Sequence, residues 1–258
     1  MSAAPELVLC IPGPWLSEAD LAASIADSET GYLADGQVLR EPASGFACEL
    51  VFQDADPALT EAFRAAGPHW VKTEAMADVG DHASVVYLVG TGGARQAAEA
   101  MMRAGAALID AGGLGVKVES TGIAHAPAYW TDLCEQLDAL TAHRALVVFL
   151  TGREVYSCGM HNFGLPEAIV SPVGKDKGAA ADLLRTFTHY LFAQAPLFED
   201  GHTFSVNEGA PVYRVRTAPA IDYGPDSLFN NPYGAWRLEA VADEKEEKKT
   251  GWWGKIRH

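Results

Sequence analysis

Short apolar runs alternate with stretches of helical period along almost the whole chain. Leu7 to Gly13 (LVLCIPG) is an apolar run closed by Pro12 and Gly13, which predicts a buried strand. Ser17 then stands as an N-cap, with Asp20 three residues on, ahead of a helix through LAASIADS. GYLADGQVLRE and GFACELVFQ read as two strands joined by a Pro-Ala-Ser-Gly turn. Asp56-Pro57 opens a short helix, PALTEAFRAAG, that stops at Gly67. That β-α-β-β-α order is most of a ferredoxin-like unit. Residues 68–82 are polar and irregular and read as a connector.

A second set follows. SVVYLVG predicts a buried strand, and a helix is expected from about Ala94 to Ala111. Its Ala97/Ala98, Met101/Met102, Gly105 and Leu108/Ile109 share one face, and Gly112-Gly113 ends it. GVKVEST, PAYWTDLCEQLDAL and ALVVFLTG read as strand, helix and strand. Further on, EVYSCGM and LPEAIVS read as strands, and Lys175 to Ala195 as a helix with Leu184, Phe187 and Leu191 on one face. APVYRVRTA and YGAWRLEAV complete the strands. The predicted class is α+β: ferredoxin-like β-α-β-β-α units in mixed sheets with helices packed on one face, an internal duplication being left open. The expected organisation is an N-terminal region over 1–150 (as one region, or as units 1–67 and 83–150), a C-terminal domain over 151–242, and a charged tail over 243–258.

Composition narrows the class. The chain has 258 residues, 48% apolar and 21% charged, enough to bury a sizeable core. No apolar run approaches the roughly eighteen residues of a membrane span, and the N-terminus lacks the basic and apolar regions of a signal peptide. Four cysteines without a C-x-x-C suit a reducing compartment, so the cytoplasm is expected. The net charge is −15. Residues 243–258 hold four acids and five Lys/Arg; taking these from 34 acids and 19 bases leaves 30 and 14, about −16 on the body. Such a surface disfavours nucleic acid and suits a basic protein partner, although it also serves solubility alone.

Two stretches carry candidate chemistry. Gly90-Thr91-Gly92-Gly93 follows a strand and opens a helix, with Glu119 at the end of the next strand. A dinucleotide site wants that order, and Gly92, Gly93 and Glu119 are its candidate residues. The third glycine of G-x-G-x-x-G falls at Arg95, however, which favours the glycine-rich start of a core helix. The second stretch is VYSCGMHNFGLPEAIV, Val155 to Val170. Cys158 and His161 form C-x-x-H, half a zinc site at most. In an extended strand their side chains point to opposite faces, so a Cys–His nucleophile pair needs a bend at Gly159. The plainer expectation is that Cys158 fills core while His161 and Asn162 hydrogen-bond a tight loop. Cys158, His161, Asn162 and Glu167 are the candidate binding residues. The chain has no G-x-S-x-G, no P-loop and no H-E-x-x-H, and its eight histidines show no ligand spacing. No cofactor, metal or catalytic residue is therefore expected.

FGLPE (Phe163 to Glu167), LLRTFTHYLF (Leu183 to Phe192) and EDGHTFS (Glu199 to Ser205) resemble the C-terminal domain of a bacterial family known as domain of unknown function 4261. The resemblance covers about residues 150–220. Its members show a G-L-x-x-F-G-x-P-E-like turn, a helix and a D-G-x-T segment; here Met160 stands where that pattern often has Leu. The resemblance implies a bacterial source and brings no activity or functional residue.

Three functions remain. The leading one is a non-enzymatic, acidic protein-binding protein, immunity- or inhibitor-like. The second is a small-molecule or nucleotide-binding protein, or an enzyme, using the Gly90–Gly93 loop or the Cys158/His161 loop. The third is a scaffold acting through the Trp252-Trp253 tail. The oligomeric state is not legible.

Overall fold

The structure, a computed structural model, describes residues 4–172 and 176–241. The charged tail with Trp252-Trp253 lies outside the described residues. The first strand, β1 (Glu6–Gly13), is buried on both faces from Leu7 onward, as its unbroken apolar run requires. Helix α1 (Glu18–Asp27) starts where the Ser17 hydroxyl accepts the Asp20 N–H. The sequence predicts one strand over residues 31–41. The structure folds that segment back on itself as β2 (Leu33–Asp35) and β3 (Val38–Glu41), with Gly36 at φ +59° in the turn and Asp35 paired with Val38. A two-residue hairpin of this kind needs positive φ, which glycine supplies. The long strand β4 (Phe46–Asp54), helix α2 (Leu59–Ala66) and helix α3 (Glu74–Asp78) follow.

Next come β5 (Ser84–Thr91), α4 (Arg95–Asp110), β6 (Val116–Val118) and β7 (Ile123–His125). The first sheet runs β2-β3-β4-β5-β1-β6-β7, antiparallel throughout. The path from β1 through α1 to β4 steps over β5, and the path from β5 through α4 to β6 steps over β1. Two split β-α-β connections thus interlock. Helices α1 and α4 cover one face, with Leu21, Ile25, Met101 and Met102 in one cluster with Leu9, Val86 and Leu88.

The opposite face carries an addition absent from the sequence reading. Residues 68–82 are more than a connector: Trp70, Met76 and Val79 join Phe63, Cys10 and Val85 in a second, smaller core. The Trp70 indole donates to the Ala124 carbonyl at 3.1 Å, so its polar edge is satisfied as its ring is buried.

The single helix predicted over PAYWTDLCEQLDAL is two, α5 (Pro127–Glu135) and α6 (Ala139–Leu146). Asp138 decides the break. Its carboxylate accepts the Leu140 and Thr141 N–H groups at 2.8 and 2.9 Å, while its own N–H donates to the Thr141 hydroxyl. Helix α6 then continues through Leu146, so the following strand, β8 (Val148–Thr151), begins later than the predicted Ala145.

The second sheet contains β8, β9 (Val155–Cys158), β10 (Glu167–Val170), β11 (Thr203–Phe204), β12 (Tyr213–Ala218) and β13 (Ala235–Ala240). Its order is β11-β12-β13-β10-β9-β8, with β10 and β13 parallel and the other pairs antiparallel. Helix α7 (Lys177–Gln194) buries Leu184, Phe187 and Leu191, the face its spacing predicts. A side chain such as Phe187, fully buried, contributes roughly 1.5–3 kcal/mol. The main core runs on from Leu9 and Met101 through Trp130 and Met160 to Phe187 and Val215. The class is α+β with mixed and antiparallel sheets.

Candidate functional site

Strand β9 delivers Ser157 and Cys158 to the interior, and the chain then turns sharply at Gly159. Gly159 has φ +122°, and a Cβ there would stand 1.9 Å from the Leu146 carbonyl oxygen. One 3-10 turn, Met160–Phe163, follows and ends at Gly164 in the left-handed region, φ +77°. Leu165-Pro166 returns the chain to β10, whose first residue is Glu167.

This return places the Glu167 carboxyl under the turn it has just left. Its Oε2 accepts the Ser157 hydroxyl at 2.6 Å. Its Oε1 accepts the Gly159 N–H at 3.1 Å and the Asn231 side-chain amide at 3.0 Å. Longer contacts come from the His161 N–H at 3.4 Å and His161 Nδ1 at 3.3 Å. Ser157 is used twice, since its oxygen also accepts the Ala168 N–H at 2.8 Å. Asn231 donates to the Leu165 carbonyl as well, which ties the approach to β13 onto this turn. Glu167 therefore gathers donors from β9, the 3-10 turn and the segment before β13.

His161 and Asn162 are fully buried. Asn162 accepts the Ser120 hydroxyl at 3.0 Å, and its backbone carbonyl accepts the Gly93 N–H at 3.0 Å. Cys158 is buried too; burial first, and then nearby Glu167, push its thiol up, away from a reactive thiolate. Beside these groups lies a cavity of about 10 Å³ bordered by Tyr156, Cys158, Glu167, Tyr223 and Asn231. That space holds about one water.

The glycine loop meets this cluster from the other sheet. The Gly92 N–H donates to the Pro5 carbonyl at 2.7 Å, and the Gly93 N–H is the one that reaches Asn162. Both amides that a phosphate would use are thus engaged within the chain. Arg95 does not crowd the helix–strand contact: its guanidinium pairs with Glu99 at 2.6 Å and lies 5.2 Å over the Phe192 ring. A Cβ on Gly164 would stand 2.3 Å from the Gly93 carbonyl oxygen. Gly164→Ala is therefore expected to combine the positive-φ cost with a backbone clash, about 2 kcal/mol or more, read as a lower urea midpoint at unchanged slope.

Glu119 stands apart. Its N–H donates to the Val8 carbonyl, and its side chain pairs with Lys117 beside Cys10. Burial and then Glu119 push the Cys10 thiol up to about 12. The structure thus brings together Cys158, His161, Asn162 and Glu167 with Gly92 and Gly93, and leaves Glu119 elsewhere. The residues that sequence reasoning missed are Ser157, Ser120 and Asn231. Asn231 lies 64 positions from Glu167, so no local spacing could have pointed to it.

With the cluster in view, the third motif finds its place. Asp200 accepts the Thr217 N–H and an Arg216 N–H, both at 2.9 Å, and those bonds hold its carboxyl below the usual range. FGLPE supplies Glu167, LLRTFTHYLF supplies the buried Leu184, Phe187 and Leu191 of α7, and EDGHTFS fastens the turn beside β12. Residues 156–238 match the family described as Domain of unknown function (DUF4261). The DUF4261 segment starts within β9 and ends within β13, so it holds the whole Glu167 cluster but not the glycine loop that docks on it. No curated protein and no solved structure matches the chain. Among the described residues, no three His, Cys, Asp or Glu side chains converge as metal ligands, and no helix is long and apolar enough to cross a membrane.

Proposed function

We propose that this chain is a non-enzymatic, acidic protein-binding protein of the immunity or inhibitor kind, acting in the bacterial cytoplasm on a basic protein partner. The observation that carries this reading is one face of the first sheet. Beyond the small core under α2 and α3, the same face carries a shallow depression of about 570 Å³. Val38, Ala47 and Val89 give it apolar lining. Glu6 and Glu49 stand on its rim, with no ion pair to either among the described residues. An apolar lining with an acidic rim, on a body of about −16, fits a basic protein surface in charge and character. The inward use of the polar cluster supports a binding rather than a catalytic role. The free thiols Cys10, Cys48, Cys134 and Cys158 suit a reducing compartment.

Immobilised full-length chain is expected to retain a basic protein from the native host's lysate at low salt and to release it near 0.5 M salt, where the Debye length is only about 4–5 Å. Glu6→Lys/Glu49→Lys is expected to slow that association by about tenfold or more, since rim charges act chiefly on encounter rates. Retention of no basic protein, or retention indifferent to both salt and the charge reversal, would end this reading.

A further inference from the structure

A second cleft, of about 470 Å³, opens between the edge strand β7 of the first sheet and the edge strand β8 of the second. Its charge runs against the rest of the molecule. Arg144, from the last turn of α6, and Arg185, from α7, line it, and no Asp or Glu does. No ion pair to Arg144 occurs among the described residues. Arg185 pairs with Asp182, but both side chains are more than half exposed, so the tie is weak. The Arg185 guanidinium also lies 5.1 Å over the ring of Phe149, which forms part of the wall.

The two buried histidines of the cleft are each held by a hydrogen bond, and that of His125 defines its tautomer. The Ala145 carbonyl can only accept, so His125 Nε2, 2.9 Å away, carries the proton. His125 Nδ1 is then a buried acceptor with no donor in the structure. His143 Nε2 lies 2.9 Å from the Thr188 hydroxyl, which also reaches the Leu184 carbonyl at 2.8 Å. Burial pushes His125 down to about 4 and His143 to about 3, with His189, Arg185 and Arg144 adding to the effect on His143. Both rings are neutral at pH 7, and the positive charge of the cleft belongs to the two arginines.

Tyr129 and Phe149 add aromatic surface to the lining, and Ile123, Val147 and Val148 are apolar. The size falls within the usual range of small-molecule sites, as do an apolar lining and a few convergent polar groups. We infer that this cleft binds an anionic aromatic small molecule, its phosphate or carboxylate paired with Arg144 and Arg185 and its ring against Tyr129 and Phe149. Planar guanidiniums suit such anions because they donate two parallel N–H bonds. This site lies apart from the acid-rimmed sheet face and stands or falls independently of the protein-binding reading.

Isothermal titration of the full chain with phenyl phosphate, benzoate, inorganic phosphate and phenol tests it. Phenyl phosphate or benzoate is expected to bind with a millimolar or lower Kd and to raise Tm, and the stronger of the two identifies the anionic group. Inorganic phosphate should bind more weakly and phenol not at all. Arg144→Ala/Arg185→Ala, both on exposed positions, should keep the fold by circular dichroism and lose about tenfold or more in affinity. Glu6→Lys/Glu49→Lys should bind these probes as the parent does. No heat and no Tm shift with either aromatic anion at about 10 mM, where a millimolar site is nearly full, overturns the inference. So does binding unchanged by the double arginine substitution.

Discussion

Glu167→Ala is expected to destabilise the fold by about 3–5 kcal/mol, the range seen when a buried polar network loses its central partner. The substitution strips the acceptor from the Ser157 hydroxyl, the Gly159 N–H and the Asn231 amide at once. None of these can turn to solvent, because Ser157 and Asn231 are buried and Gly159 is pinned against Leu146. Glu167→Gln keeps the shape but turns one acceptor into a donor facing donors, so an intermediate cost of about 1–3 kcal/mol is expected. Urea unfolding of both variants reads this as a shifted midpoint. A loss below about 1 kcal/mol for Glu167→Ala would show that the cluster does not hold the second sheet together.

The second large effect is with acid. His125 and His143 titrate near 6.5 when unfolded but only near 4 and 3 when folded. Between those values the unfolded chain binds protons that the folded chain refuses. Stability from these two groups is therefore complete above pH 6.5 and falls as pH drops below it. The slope is about 1.4 kcal/mol per pH unit for each histidine, until the folded values are reached. His125 faces His69 and the Ala145 carbonyl, and His143 faces His189, Arg185 and Arg144, so no acid compensates. Urea midpoints between pH 7 and 4.5 are expected to drop steeply, and His125→Gln/His143→Gln should flatten the profile. Unchanged midpoints in the parent over that window would contradict the burial of neutral imidazoles. The window stops at 4.5 because Glu154, Asp138 and Asp200, all with lowered carboxyl values, add their own acid sensitivity further down.

Much of the element order was legible. The run Leu7 to Gly13, the faces of α4 and α7, and the strands around Val86 and Val215 all rest on periodicities that a few consecutive residues impose. Errors arose where a single residue overrode a pattern. Gly36 turned one predicted strand into a hairpin, and Asp138 cut one predicted helix into two, because a left-handed turn and a capping carboxylate each act locally and decisively. Trp70 and Met76 were hidden in a polar stretch, since isolated apolar residues show no period.

The candidate site divides the same way. Local sequence determined that Cys158 and His161 flank a glycine hinge before a second strand, and composition that the chain is acidic. Tertiary structure alone decided what those residues do. It set Asn231 and Ser120 against the turn, closed the Gly92-Gly93 amides on Pro5 and Asn162, and gathered Arg144, Arg185 and the buried histidines between two sheet edges. The reason is physical: spacing along the chain sets backbone shape over a few residues, whereas burial and hydrogen-bond partners depend on segments that meet only when the whole chain is packed.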